Sequence, residues 1–316
     1  MRIVIPGSSG FIGSNLLNYI SKNKKLFNKI DEIVLIDVLQ YNQLPATKTV
    51  LSEKKIRFIK GSIYNPKLIR KVIRKGDVII HLAVEENTFD KPQSSTTEGT
   101  LEYLKLLSEI QIDKFIFLST ADVYGLNNSN NLLENSQLKP STIYAANKVG
   151  FEAYLQAFHA LMNLPIIILR PVTIYGPNQY PGWLIPRIIS RLLKNKKIQI
   201  TGNGSIKRDW IYIDDICSLI TKIIVSNDKK IFNEIFNVGT GKEKTVLQIV
   251  EYLLVKLNKP VSLIEFIPQR PGDILRQITH AEKVKKFFNW ESKINFDKGI
   301  IKTINFYKTI TNSTNI

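Results

Sequence analysis

A chain of 316 residues with 44% hydrophobic content can bury a large core, which excludes a disordered protein and points to two lobes. The formal charge of +17 invites a nucleic-acid reading, but the lysines come as scattered pairs such as Lys24-Lys25 and Lys196-Lys197; the charge reads as solvated surface that would also favour an anionic small substrate. One cysteine, Cys217, and three histidines leave no internal disulfide and no metal site of recognisable spacing, and without a leader or a run of about 18 apolar residues the expectation is a soluble cytoplasmic protein that binds neither membrane nor nucleic acid.

In chain order, Arg2 to Ile5, Glu32 to Ile36, Ile56 to Ile59, Val78 to Leu82, Lys114 to Leu118 and Pro165 to Leu169 are short runs rich in β-branched residues. They read as strands buried on both faces. Between them, Ile12 to Ser21, Pro66 to Arg74, Thr100 to Ser108 and Tyr144 to Leu161 carry helical patterns. This alternation predicts right-handed βαβ units and an α/β fold, a Rossmann-type doubly wound parallel sheet. After Arg170-Pro171 the chain turns to Gly- and Pro-containing loops, two helical runs and isolated strand signals, which predict a smaller mixed α/β substrate lobe. The division expected is a dinucleotide-binding domain over 1–170 and a substrate lobe over 171–316, with part of 209–240 returning to the first domain. The polar tail from Thr309 is expected to fray.

Gly7-Ser8-Ser9-Gly10-Phe11-Ile12-Gly13 follows the first strand and opens a helix. Glycines there allow a tight turn and bring backbone N–H groups against a pyrophosphate at the helix N-terminus. Such spacing also occurs in plain strand-to-helix turns; here a second strand ends in Asp37, 24 residues after Gly13, as a dinucleotide site requires. Asp37 would accept from the adenine-ribose hydroxyls and repel a 2′-phosphate, so NAD is favoured over NADP. Pro6 removes a backbone donor just before the first glycine and predicts a small shift of that loop.

Tyr144-Ala145-Ala146-Asn147-Lys148 places a phenol and an ammonium at i,i+4 on one helix face, where the ammonium lowers the phenol's pKa. Thr120 lies 24 residues before Tyr144 at a strand end and supplies a third polar group. The chemistry this trio suits is oxidation of a sugar carbinol: Tyr144 as base, Thr120 orienting the oxygen, and Lys148 holding the phenolate and the cofactor ribose.

With these residues the chain resembles the extended short-chain dehydrogenases/reductases that act on nucleotide sugars, over nearly its whole length, with the dTDP-glucose 4,6-dehydratase family as the nearest subgroup. The subgroup is suggested by His81-Leu82-Ala83-Val84-Glu85, by Tyr175-Gly176-Pro177-Asn178-Gln179-Tyr180-Pro181 with Leu184-Ile185-Pro186, by Gly202-Asn203-Gly204 leading to Arg208-Asp209-Trp210, and by Arg270-Pro271-Gly272-Asp273. The resemblance implies NAD held by Gly7, Gly10, Phe11, Ile12, Gly13, Asp37, Ser62, Ile63, Leu82, Ala83, Tyr144 and Lys148. It also implies a nucleotide-diphosphate sugar touched by Glu85, Thr173, Trp183, Arg208 and Arg270, with both arginines on the phosphates. A homodimer through the helices that begin near Thr100 and Tyr144 is implied as well.

Four departures set the chain apart from that family's pattern. Dehydratases of this family carry Thr-Asp-Glu, in which Asp protonates the leaving 6-hydroxyl and Glu removes the C5 proton; this chain has Thr120-Ala121-Asp122. Ala121 transfers no proton, and Asp122 is one methylene shorter than Glu. Thr173 or Ile174 replaces the family's Asn, Gly182-Trp183 its Glu-Lys, and Ser62 its adenine-side Asp. Glu85 and Asp90 are candidates for a replacement acid. A 4,6-dehydratase-like reaction through a transient 4-ketone ranks first, then 4-epimerisation, then UDP-glucuronate decarboxylation, with a non-catalytic NAD-binding homologue as the other class.

Overall fold

The computed structural model describes residues 1–39, 48–84, 96–125, 132–268 and 276–313. The first half runs β1 (Arg2–Pro6), α1 (Phe11–Lys22), α2 (Lys24–Phe27), β2 (Glu32–Asp37), α3 (Lys48–Leu51), β3 (Ile56–Lys60), α4 (Pro66–Val72), β4 (Val78–His81), α5 (Thr96–Ile110), β5 (Lys114–Leu118), α6 (Ile143–Met162) and β6 (Ile166–Pro171). The second half runs β7 (Thr173–Tyr175), α7 (Leu184–Leu193), β8 (Ile198–Thr201), β9 (Lys207–Tyr212), α8 (Ile213–Val225), β10 (Glu234–Val238), β11 (Glu243–Thr245), α9 (Val246–Lys256), β12 (Ile264–Ile267), β13 (Arg276–Gln277), α10 (Glu282–Phe288) and α11 (Phe296–Ser313).

Seven parallel strands form one sheet in the order β10-β6-β5-β4-β1-β2-β3. Because side chains alternate along a strand, the apolar runs split into two cores. Ile3, Ile5, Leu35, Ile80 and Ile116 pack with Leu16 and Leu17 of α1 and Ile220 of α8, whereas Val4, Val34, Ile79, Phe115 and Phe117 pack with Ile69 of α4, Leu104 of α5 and Leu155 of α6. Full burial of each such side chain contributes about 2 kcal/mol, so helices on both faces are what hold the parallel sheet. The order reverses at β1, whose neighbours are β4 and β2, and this reversal opens a crevice beyond the strand ends.

The remaining strands form a sheet ordered β11-β9-β13, with β7 also on β9, and a β12–β8 pair. Two features differ from the sequence reading. Among the described residues five α-helices, not two helical runs, follow Pro171; one of them, α10, is only 7 residues long, too short to display a period. The polar tail continues α11 to Ser313: Thr309 and Thr311 donate back to the carbonyls of Asn305 and Tyr307 at 3.0 and 2.9 Å, which satisfies the hydroxyls within the helix.

Candidate active site

The glycine loop sits at the sheet's reversal. Gly7 has φ +80°, and a Cβ there would meet the backbone of Leu82 and Ala83 at 2.5 Å. A Cβ on Gly13 would meet the Gly7 carbonyl oxygen at the same distance, so both positions need glycine for backbone to approach backbone. Gly10 caps α1 without any side-chain hydrogen bond, which leaves the first N–H groups of the helix for a ligand. Asp37 accepts from the backbone N–H of Ser9 and of Leu39, both at 2.8 Å, so its carboxylate is fixed at the rim of that loop. Pro6 keeps register with Ile36, its carbonyl accepts from the Leu82 N–H at 3.0 Å, and the Gly7 N–H bonds the Ile36 carbonyl. A cradle that a methyl group would fill, an uncapped helix end and a carboxylate at the second strand's tip together fit a dinucleotide.

Around this loop, Phe11 and Ile12 begin α1 and are half-buried. Leu82 and Ala83 follow β4 and face Gly7. Past β3, the Ser62 hydroxyl accepts from the Tyr64 N–H at 3.1 Å, and Ile63 is buried in the second core.

Thr120, Tyr144 and Lys148 converge at the end of β5. Thr120 caps the single 3-10 turn formed by Ala121–Tyr124, its hydroxyl oxygen accepting from the Asp122 N–H at 3.1 Å. The same hydroxyl bonds the Tyr144 phenol, which lowers that phenol's pKa, whereas burial and the nearby Asp122 charge raise it more, leaving it above the ordinary tyrosine value. Tyr144 is 39% exposed as a residue, and burial is the largest cause of the shift. Thr142 caps α6 through its bond to Ala145 N–H and so sets where the Tyr144 turn begins.

Lys148, one turn on, is 6% exposed and donates to the Leu118 carbonyl at 2.7 Å. Its ammonium lies 4.6 Å from the Phe117 ring centroid and 5.9 Å from that of Tyr144. Burial pushes its pKa down to about 7, against an opposing pull from Glu152. Beneath it His81 is enclosed by Tyr103, Phe115, Phe117 and Phe151, and burial first, then the Lys148 charge, lowers it to about 3, so the imidazole is neutral.

A buried polar network supports the trio. Glu152 accepts from Ser119 and pairs with Arg170 at 2.6 Å; Arg170 also donates to the Tyr124 hydroxyl at 2.9 Å, which in turn donates to Asn237 at 2.7 Å. The network thereby joins α6, β6, β10, the 3-10 turn and the link that precedes it. The sequence reading did not single out this network, although Glu152 extends the 144, 148 stripe by one more helical step. Gly125, at φ +51°, ends the 3-10 turn against the Lys139 carbonyl, where no side chain fits.

Of the substrate candidates, Thr173 lies on β7 paired with Trp210, and Arg208 lies on β9, half-buried, donating to the Lys207 carbonyl at 2.8 Å. Trp183 caps α7 and is 59% exposed. The loop after β7 is tied to α1: Asn15 donates to the Pro177 carbonyl and Asn178 to the Ser14 hydroxyl, at 2.9 and 2.8 Å. Glu85, Asp90 and Arg270 lie outside the described residues. Ala121 is 1% exposed and packs in the core, so a methyl group closes the position at which dehydratases carry an acid. Asp122 accepts from the Gln277 amide at 3.0 Å, a partner 155 residues away for which the sequence holds no signal.

A glycine-cradled helix end at the reversal of a parallel sheet is the mark of a dinucleotide-binding fold. The chain belongs to the NAD dependent epimerase/dehydratase family, whose model matches residues 3–239. It is 29% identical to the low-salt glycan biosynthesis protein Agl12 of Haloferax volcanii, over 97% of this chain and 98% of that protein. Among solved structures, dTDP-glucose 4,6-dehydratase of Streptomyces venezuelae, crystallised with NAD and TYD, is similar at TM-score 0.89 and 26% identity, covering 99% of this chain and 98% of that one. UDP-glucuronic acid 4-epimerase of Bacillus cereus, in complex with UDP-glucuronic acid and NAD, is similar at TM-score 0.86 and 25% identity, covering 98% and 100%.

Proposed function

We propose that this chain is an NAD-dependent nucleotide-sugar enzyme that works through a transient 4-ketone, with a 4,6-dehydratase-like reaction ranked first. The observation that carries the reading is the meeting of Thr120, Tyr144 and Lys148 at the end of β5, with only β4 between that strand and β1, which leads into the Gly7–Gly13 cradle. NAD, held by the α1 N-terminus, Asp37 and Lys148, supplies the hydride acceptor when bound. Tyr144 takes the C4 hydroxyl proton, Thr120 holds that oxygen, and Lys148 lowers the cost of the phenolate. Because burial and the Asp122 charge raise the Tyr144 pKa in the free protein, Tyr144 needs the Lys148 cation beside it to act as a base.

After oxidation the C5–H bond is acidified by the adjacent ketone, and Asp122 is the base proposed for it. Arg208 and Arg270 pair with the diphosphate, while Thr173, Trp183 and Glu85 border the sugar and base. The second reading, a 4-epimerase, is favoured by Ala121, since inversion at C4 needs no acid for a leaving hydroxyl. A cytoplasmic homodimer joined through α5 and α6 is the proposed assembly, supported by the exposure of Leu101 and Leu161 on those helices.

Incubation with dTDP-, UDP-, GDP- and CDP-sugars in heavy water, followed by mass spectrometry, tests this. Loss of water with deuterium gained supports dehydration, and an isomer of unchanged mass supports epimerisation. Loss of carbon dioxide would assign decarboxylation, and an NAD-loaded protein that forms no product from any sugar would overturn the reading.

A further inference from the structure

We propose that Gln277 is a positioning residue for Asp122, reaching from the second lobe to aim its carboxylate at the sugar; this rests on the reading of Asp122 as the C5 base. Gln277 is 3% exposed and its Nε2 donates to Asp122 Oδ1 at 3.0 Å. The acceptor-only carboxylate fixes which end of the amide faces it. Among the described residues Gln277 is the side chain bonded to that carboxylate, and the bond to Oδ1 leaves Oδ2 to receive a proton. The main chain of Asp122 is held separately, by its N–H bond to Thr120.

A shorter carboxylate needs this more than a longer one would. Asp has one fewer rotatable bond than Glu, so its reach is set by where it is held. The holder is itself rigid: β13 runs parallel to β9 with Gln277 opposite Arg208, and two residues on, Thr279 bridges Leu132 while the His280 N–H bonds the Leu132 carbonyl at 3.2 Å. Asp122 is thus registered to the strand that carries the proposed phosphate-binding arginine, and its aim depends on the two lobes being together. In the step served, the C5–H bond breaks, its proton goes to Asp122 Oδ2, and its electron pair forms the C4–C5 double bond as the ketone oxygen becomes an enolate. No oxidant enters.

The test supplies dTDP-4-keto-6-deoxyglucose to the purified protein in heavy water and follows deuterium entry at C5 by NMR, which separates proton transfer from hydride transfer. Gln277→Leu is expected to slow exchange on the order of a hundredfold, the effect of about 1 Å of misplacement, with dTDP affinity within twofold of wild type. Gln277→Glu, which folds around a group of the same shape, is expected to move the acidic limb of the exchange-against-pH profile upward by about one unit, because a like charge then faces Asp122. Wild-type exchange in Gln277→Leu, with Asp122→Asn silent, would remove the positioning role and leave Asp122 as base. Wild-type exchange in Asp122→Asn would overturn the base assignment, and the Gln277 proposal with it.

Discussion

Replacing Lys148 by methionine should make the NAD-free protein more stable and inactive. The ammonium is nine-tenths buried, with the Leu118 carbonyl at 2.7 Å as its hydrogen-bond acceptor, and its pKa falls from 10.5 to about 7. At about 1.4 kcal/mol per pKa unit, holding it charged costs on the order of 5 kcal/mol. Methionine fills a similar volume without the charge but abandons the Leu118 bond, worth about 2 kcal/mol for a charged donor, so the net gain is about 3 kcal/mol. The sign with pH follows from the depressed folded pKa. Below pH 7 the lysine is protonated in both states and the full cost is present. From pH 7 to 10.5 the unfolded chain binds the extra proton, and wild-type stability rises. The advantage of Lys148→Met is therefore largest near pH 6 and shrinks towards pH 10. Urea unfolding of NAD-stripped wild type and variant at pH 6 and pH 9 measures it. A variant less stable than wild type at pH 6, or one whose advantage widens with pH, would refute the reasoning.

Gly13→Ala should weaken NAD binding by more than tenfold in titration calorimetry, because its Cβ would lie 2.5 Å from the Gly7 carbonyl oxygen, whereas Gly10→Ala, at 3.4 Å, should be milder. Glu152→Ala should cost about 3 to 5 kcal/mol in urea unfolding, since it strands the buried Arg170 guanidinium and frees Ser119. Asp37→Asn should narrow the preference for NAD over NADP, measured as the ratio of dissociation constants, because the amide no longer repels a 2′-phosphate. An unchanged ratio would remove Asp37 from cofactor selection.

How much of the site could be read in advance follows from the range of each interaction. The Gly7–Gly13 cradle and the Tyr144–Lys148 pair are made by residues within a few positions of one another, so local spacing displays them. Asp37 and Thr120 were legible because strands end where apolar runs end. The Arg170–Tyr124–Asn237 chain joins β6, the turn after β5 and β10, whose adjacency is a property of the sheet order, and spacing says nothing about it.

The sequence by itself determined the alternation of strands and helices, the glycine loop that opens α1 and the Tyr144–Lys148 spacing on one helix face, since periodicity, glycine and helical spacing are local consequences of backbone geometry. Only the tertiary structure decided that Ala121 faces the core, that Lys148 is desolvated over Phe117 and close to His81, and that Asp122 is held by Gln277. Burial and partnership are sums over segments distant in the chain, and they exist only once packing has brought those segments together.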